Sequence, residues 1–151
     1  MQFEQEWING GVSLGAAAGW TEDEIRLVSE LGFALAEQGR NHEAITIFEG
    51  LIALAPATAY FEAALGALWL RENNPARALP HLNAALAADQ NDIVARVNRS
   101  EVFLRLENYE GAKIDLDFVL KQKIKPENKS LLEQSLTRAR ALAFTLKRLS
   151  G

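Results

Sequence analysis

The sequence contains no cysteine, which removes any disulfide framework and any thiolate-held metal. Its only histidines, His42 and His81, lack a metal-ligand spacing and read as solvated surface imidazoles. No apolar run approaches the ~18 residues of a membrane-spanning helix, so no membrane insertion is expected. Glu4 and Glu6 stand where a secretory leader would carry Lys or Arg, and Gly15 breaks the apolar stretch that starts at Val12. The expected address is therefore the cytoplasm, which the lack of cysteine fits. Clear strand patterns are missing too, and with them any Gly-rich phosphate loop that would follow a strand. Asp115 and Asp117 point to different sides of a helix and form no acid/base dyad. Neither catalysis nor a cofactor is expected.

What is present is a repeat. Leu31-Gly32, Leu35, Gly39, Ala44 and Phe48 recur as Leu65-Gly66, Trp69, Asn73, Ala78 and Leu82, each pair 34 residues apart. A third pass, Ser100, Phe103, Ala112 and Leu116, keeps the step. Small residues at Gly32/Gly66/Ser100 and Ala44/Ala78/Ala112, with a large apolar residue following, form the tetratricopeptide signature. The physical need is close helix packing: one helix offers no bulk, and a large side chain on its partner fills the groove so made. The fold class expected is all-α, a helical-repeat solenoid of three helix pairs.

The 151 residues are expected to form one domain, which at this size buries roughly 70% of its unfolded surface. Within it, 1–21 is a leader, 22–58, 59–92 and 93–126 are the repeats, and 127–149 is a C-terminal capping helix. Thr21 and Glu24 have the spacing of a capping box, so the first helix starts there. Gly39 and, 34 residues later, Asn73 are the residue types that tolerate a left-handed helix cap, whereas Glu107 is a poor residue for the third such turn. Asn74-Pro75 reads as an N-cap followed by the first helical position. In the last helix Leu132, Leu136, Ala139, Ala143 and Leu146 fall at helical spacing, a stripe that can close the open end of the stack or bind a partner helix.

Charge is unevenly spread. Residues 1–120 hold 8 Lys/Arg against 18 Asp/Glu, a net −10, and residues 121–151 hold 8 against 2, a net +6. An acidic body repels phosphate, so no nucleic-acid partner is expected. The cations of the last helix either face water and complement its C-terminus or meet an acidic partner. Arg96 and Arg99 occupy slots where apolar residues usually pack; their guanidinium groups can pair with Asp115, Asp117 or Asp89, or grip a ligand carboxylate. On the leader, Phe3, Trp7 and Ile8 must find a surface to cover, either the body of the same chain or a second copy in a homodimer.

In a stack of this kind the first helix of each pair lines the concave face. The residues expected there are Phe33, Tyr60, Ala63, Ala67, Leu70, Val94, Val97 and Glu101, an apolar floor with charged edges. Aromatics supply contact area and small alanines leave pockets, which suits an extended peptide with apolar anchors. Tetratricopeptide co-chaperones grip a heat-shock protein's terminal carboxylate with cations. The matching slots here are Ser29, Phe33, Ala64, Val94 and Asn98, which place no cation there.

The chain resembles the class II chaperones of bacterial type III secretion systems, which hold translocator proteins before export. The resemblance runs from about Ile8 to Leu120 and rests on Gly10-Gly11-Val12-Ser13-Leu14, Leu31-Gly32-Phe33 and His42-Glu43-Ala44 with Phe48, Leu51 and Leu54. Phe61, Leu65-Gly66, Ala78, Ser100-Glu101 and Ala112 continue it. It implies a groove that takes an extended translocator segment on Phe33, Tyr60, Ala67, Leu70 and Val97, and a dimer contact at Trp7 and Ile8. The expected function is a non-enzymatic protein-binding chaperone or adaptor. The alternative is a structural scaffold that uses the convex face or the basic last helix.

Overall fold

The computed structural model describes residues 19–55 and 58–151. Phe3, Trp7 and Ile8, for which a dimer or self-packing contact is expected, lie outside the described residues. Among the described residues seven α-helices follow in order: α1 (Glu22–Glu37), α2 (Asn41–Leu54), α3 (Ala59–Arg71), α4 (Pro75–Ala88), α5 (Ile93–Arg105), α6 (Tyr109–Leu120) and α7 (Lys129–Ser150). A 3-10 turn, Pro126–Asn128, leads into α7.

Local signals set most boundaries. The Thr21 hydroxyl accepts the Glu24 N–H at 3.1 Å and donates to the Glu24 carboxylate at 3.0 Å. The side chains of Asn74, Asp92 and Asn108 accept N–H groups of Arg77, Ala95 and Gly111, capping α4, α5 and α6. Thr58 stands at the N-cap of α3 but makes no side-chain cap bond and is buried instead.

The turn inside each pair is built the same way three times. Gly39, Asn73 and Glu107 have φ of 76°, 58° and 60°. The next residue in each case, Arg40, Asn74 or Asn108, donates its N–H five residues back, to the carbonyl of Leu35, Trp69 or Phe103, at 2.8–2.9 Å. The repeat thus extends to backbone conformation, and Glu107 adopts the left-handed state despite its Cβ.

The small slots do what close packing requires. A Cβ on Gly32 would lie 2.9 Å from the Phe48 ring, and one on Gly66 would lie 2.5 Å from Leu82 Cδ2. Ser100, fully buried in the third slot, satisfies its hydroxyl on the Val97 carbonyl at 2.6 Å.

The core runs along the array in successive patches. Ile25, Leu35, Phe48, Leu51, Phe61 and Leu65 join α1, α2 and α3. Leu70, Ala78, Leu82, Leu86 and Val102 continue it through α4 to α5. Val97, Leu116 and Val119 then meet Leu132, Leu136 and Ala139 of α7, with Ala143 and Leu146 against the edge of the same patch. The apolar stripe of the last helix faces the third repeat. α7 lies against both α5 and α6, where the first helix of a next repeat would lie.

Candidate functional site

Among the first helices of the pairs, α3 packs on α5 and α5 on α7, and α1 joins α3 through a shared core patch and the Arg71 bond to the Ala36 carbonyl, while α2, α4 and α6 make no comparable contact with one another among the described residues. Positions 34 residues apart therefore fall side by side along the row so formed. One lane is Tyr60 and Val94, the next is Phe33, Ala67 and Glu101, and a third, in the last turns of the helices, is Glu37, Arg71 and Arg105.

The expected groove residues separate into two groups. Phe33, Tyr60 and Val94 are exposed at 43%, 48% and 38%, large values for such side chains, and Ala63 and Ala67 are half-buried beside them. Phe33 is held in place by an edge contact with Phe48, ring centroids 4.9 Å apart. Leu70 and Val97 differ from expectation: they are 5% and 1% exposed and belong to the core patches. The reason is tertiary. Leu70 is covered by α4 and α5, and Val97 by α6 and α7, so neither is an open anchor.

Glu101 is not a free acid. It pairs with Arg105 at 2.9 Å and with Arg138 of α7 at 3.0 Å. Arg138 also donates to the Asn98 side-chain carbonyl at 2.6 Å, and Arg105 to that of Asn73 at 2.7 Å. With Ala67, Leu70 and Arg71 these residues line a cavity of about 370 Å³. Arg71 donates to the Ala36 carbonyl at 2.8 Å, tying the rim of the second repeat to the first. A smaller cavity of about 210 Å³ lies between Val94, Val97, Leu131, Gln134, Ser135 and Arg138.

Sequence reasoning leaves the cations of the last helix to water or to an acidic partner, and so misses Arg138 as a wall of the groove. The signal is the repeat itself: the 34-residue step carried on from Leu104 reaches Arg138.

Arg96 and Arg99 serve structure. Both bind Asp115, which is fully buried, through contacts of 2.8–3.0 Å, and Arg99 also reaches Asn83 at 3.1 Å. Arg96 stacks over Phe118 at 4.2 Å and Arg99 over Phe103 at 5.5 Å. Asp117 instead pairs with Lys113 at 2.6 Å. Of the two histidines, His42 is exposed as expected, 3.4 Å from Glu72. His81 is not: it is half-buried, 2.7 Å from Glu62 on the neighbouring helix. Among the described residues no three His, Cys, Asp or Glu side chains gather as a metal site would need, and no helix is long and apolar enough to cross a membrane.

Paired helices, an inner row and three turns of identical hydrogen bonding define a tetratricopeptide-repeat solenoid. No known family profile matches the sequence, and no curated protein matches it. Solved structures do. The chain is similar to a chain of a T3SS complex from Aeromonas hydrophila, with 22% identity, 99% of this chain and 98% of that one covered, and a TM-score of 0.81. It is also similar to the Yersinia enterocolitica type III secretion chaperone SycD in complex with a peptide of the translocator YopD, with 19% identity, coverage of 83% and 96%, and a TM-score of 0.71. PcrH of Pseudomonas aeruginosa, in complex with the chaperone-binding region of PopD, gives 22% identity, coverage of 84% and 96%, and a TM-score of 0.71. The chain thus has an all-α, tetratricopeptide-like helical-repeat fold, similar to that of the type III secretion chaperones named above.

Proposed function

We propose that this protein is a non-enzymatic chaperone that holds an extended apolar segment of a partner protein in its concave groove, in the cytoplasm, and that the partner is a type III secretion translocator. The observation that carries the reading is the row of exposed Phe33, Tyr60 and Val94 beside half-buried Ala63 and Ala67. Large apolar side chains left in water on the concave side of a repeat stack are stabilised by a ligand that covers them. The translocator peptide held by SycD and the chaperone-binding region of PopD held by PcrH support the same use of the same fold. Binding of this kind needs no cofactor and no catalytic group.

The test compares the wild-type chain with Phe33→Asp and Ala67→Arg, purified from the native cell with whatever each retains. Matching circular dichroism and melting establish that the variants fold. One aggregation-prone protein should accompany the wild type and be missing from both variants. Retention of the same partner by all three would remove the groove from the function.

A scaffold that docks through α7 is the second reading, favoured by Phe144. This side chain is 65% exposed and shares its helix face with Arg140, Lys147 and Arg148. Under that reading Arg140→Glu/Lys147→Glu/Arg148→Glu loses the partner while the groove variants keep it.

A further inference from the structure

The cavity between α3, α5 and α7 brings three arginines, Arg71, Arg105 and Arg138, around one carboxylate, Glu101. Arg105 and Arg138 each share Glu101 and each also bind an amide carbonyl, of Asn73 and Asn98 respectively. Arg71 donates to the Ala36 main-chain carbonyl, which carries no charge. A guanidinium carries five N–H donors in a planar fork. Three forks against one carboxylate leave a surplus of two positive charges in a cup floored by Ala67 and Leu70. Residues 19–120, which include the first two of these arginines, hold 8 Lys/Arg against 16 Asp/Glu, a net −8, so this surplus stands out from its setting.

The cup has a fixed relation to the apolar part of the groove. Phe33, Ala67 and Glu101 occupy equivalent positions of successive repeats. At about 8–10 Å per helix step, the two steps from Phe33 to Glu101, where the Arg105 and Arg138 forks meet, span roughly 16–20 Å. An extended chain rises about 3.3 Å per residue and covers that span in about five or six residues.

We infer that the cup binds the carboxylate of an Asp or Glu side chain in the partner's extended segment, set about five or six residues from an apolar residue seated at Phe33. The carboxylate is taken as a charge-assisted fork by Arg105 and Arg138, with Arg71 closing the open side. Glu101 keeps the two forks apart and oriented while the cup is empty. This differs from the carboxylate grip of tetratricopeptide co-chaperones, whose slots carry no cation in this chain. The inference rests on the groove reading above.

The experiment is a selection of randomised decapeptides, displayed with both ends covalently blocked, on the full chain. It is run in parallel on Arg105→Gln/Arg138→Gln, on Arg71→Gln and on Ala67→Arg. Circular dichroism is matched first, and Arg71→Gln serves as the variant that strands no carboxylate. The wild type should enrich sequences that pair an apolar residue with Asp or Glu at that separation. Both arginine variants should keep the apolar preference and lose the acidic one, and Glu→Gln in a selected peptide should weaken binding at least about tenfold.

Apolar enrichment with no acidic preference overturns the cup and leaves the groove intact. Acidic enrichment that survives both arginine variants also overturns it. Recovery only from a companion library with free C-termini assigns the cup to a chain end and overturns the side-chain assignment. Equal enrichment by wild type and Ala67→Arg, or none by either, overturns the groove reading and the cup with it.

Discussion

Asp115 is wholly removed from water, and its two arginine partners are nearly so, with side chains 13% and 19% exposed. A buried carboxylate is tolerable only when fully bonded, and removing one member of such a set leaves uncompensated charge. Asp115→Ala is therefore expected to cost about 3–5 kcal/mol in urea denaturation. Replacing all three residues by apolar ones, Arg96→Met/Arg99→Met/Asp115→Leu, should recover most of that loss, because the arginine stems lie over Phe118 and Phe103 and a thioether chain keeps such packing. A triple variant as unstable as Asp115→Ala would show that the charges themselves hold α5 to α6.

Glu107 carries a different strain. Its φ of 60° costs a side-chain-bearing residue about 1–2 kcal/mol, and glycine avoids that at an entropic cost of about 0.5–1. Glu107→Gly should stabilise the chain by roughly 0.5–1 kcal/mol, read as a higher denaturation midpoint at unchanged slope.

The contact between α3 and α4 depends on a missing Cβ. Leu82 is fully buried and its Cγ and Cδ2 lie 2.5 Å from where a Cβ on Gly66 would sit, so Gly66→Ala forces the helices apart. A loss of about 1–3 kcal/mol is expected. Gly50 is the control. It sits in α2 with open space around its Cβ direction, so Gly50→Ala should gain up to about 1 kcal/mol from helix propensity alone. Thermal melts of the two alanine variants should move in opposite directions; a common direction would remove the packing argument for the small slot. Gly32 and Ser100 hold the equivalent positions, and the 34-residue step marks all three in the sequence. The identity of the opposing residue is equally legible there, since Phe48, Leu82 and Leu116 keep the same step.

Across the whole molecule, each helix pair relies on its neighbours. α7 supplies Leu132, Leu136 and Ala139 to a patch that otherwise rests on Val97, Leu116 and Val119. A chain ending after Lys125 should lose amide-exchange protection in α5 and α6 while α1 to α4 keep theirs, as expected for nearest-neighbour stabilisation in a repeat array. Uniform loss along the chain would mean that the array melts as one unit. The same truncation removes Arg138 and with it one wall of the groove, so stability and binding share this helix.

The helices, the first two turns and the pairing of small with large residues are legible in the sequence, because those are short-range matters: Thr21, Asn74 and Asp92 bond N–H groups three residues on, and Gly39 and Asn73, unlike Glu107, suit the left-handed turn they occupy. The sequence also exposed the lane from Phe33 through Ala67, since equivalent positions of a repeat must align. Which of the inner residues stay open is settled by packing between distant parts of the chain. Leu70 and Val97 are closed by α4, α6 and α7, and Glu101 is claimed by an arginine 37 positions later in the sequence. Burial and ion pairing depend on what arrives from elsewhere in the chain, and no local pattern of residues carries that information.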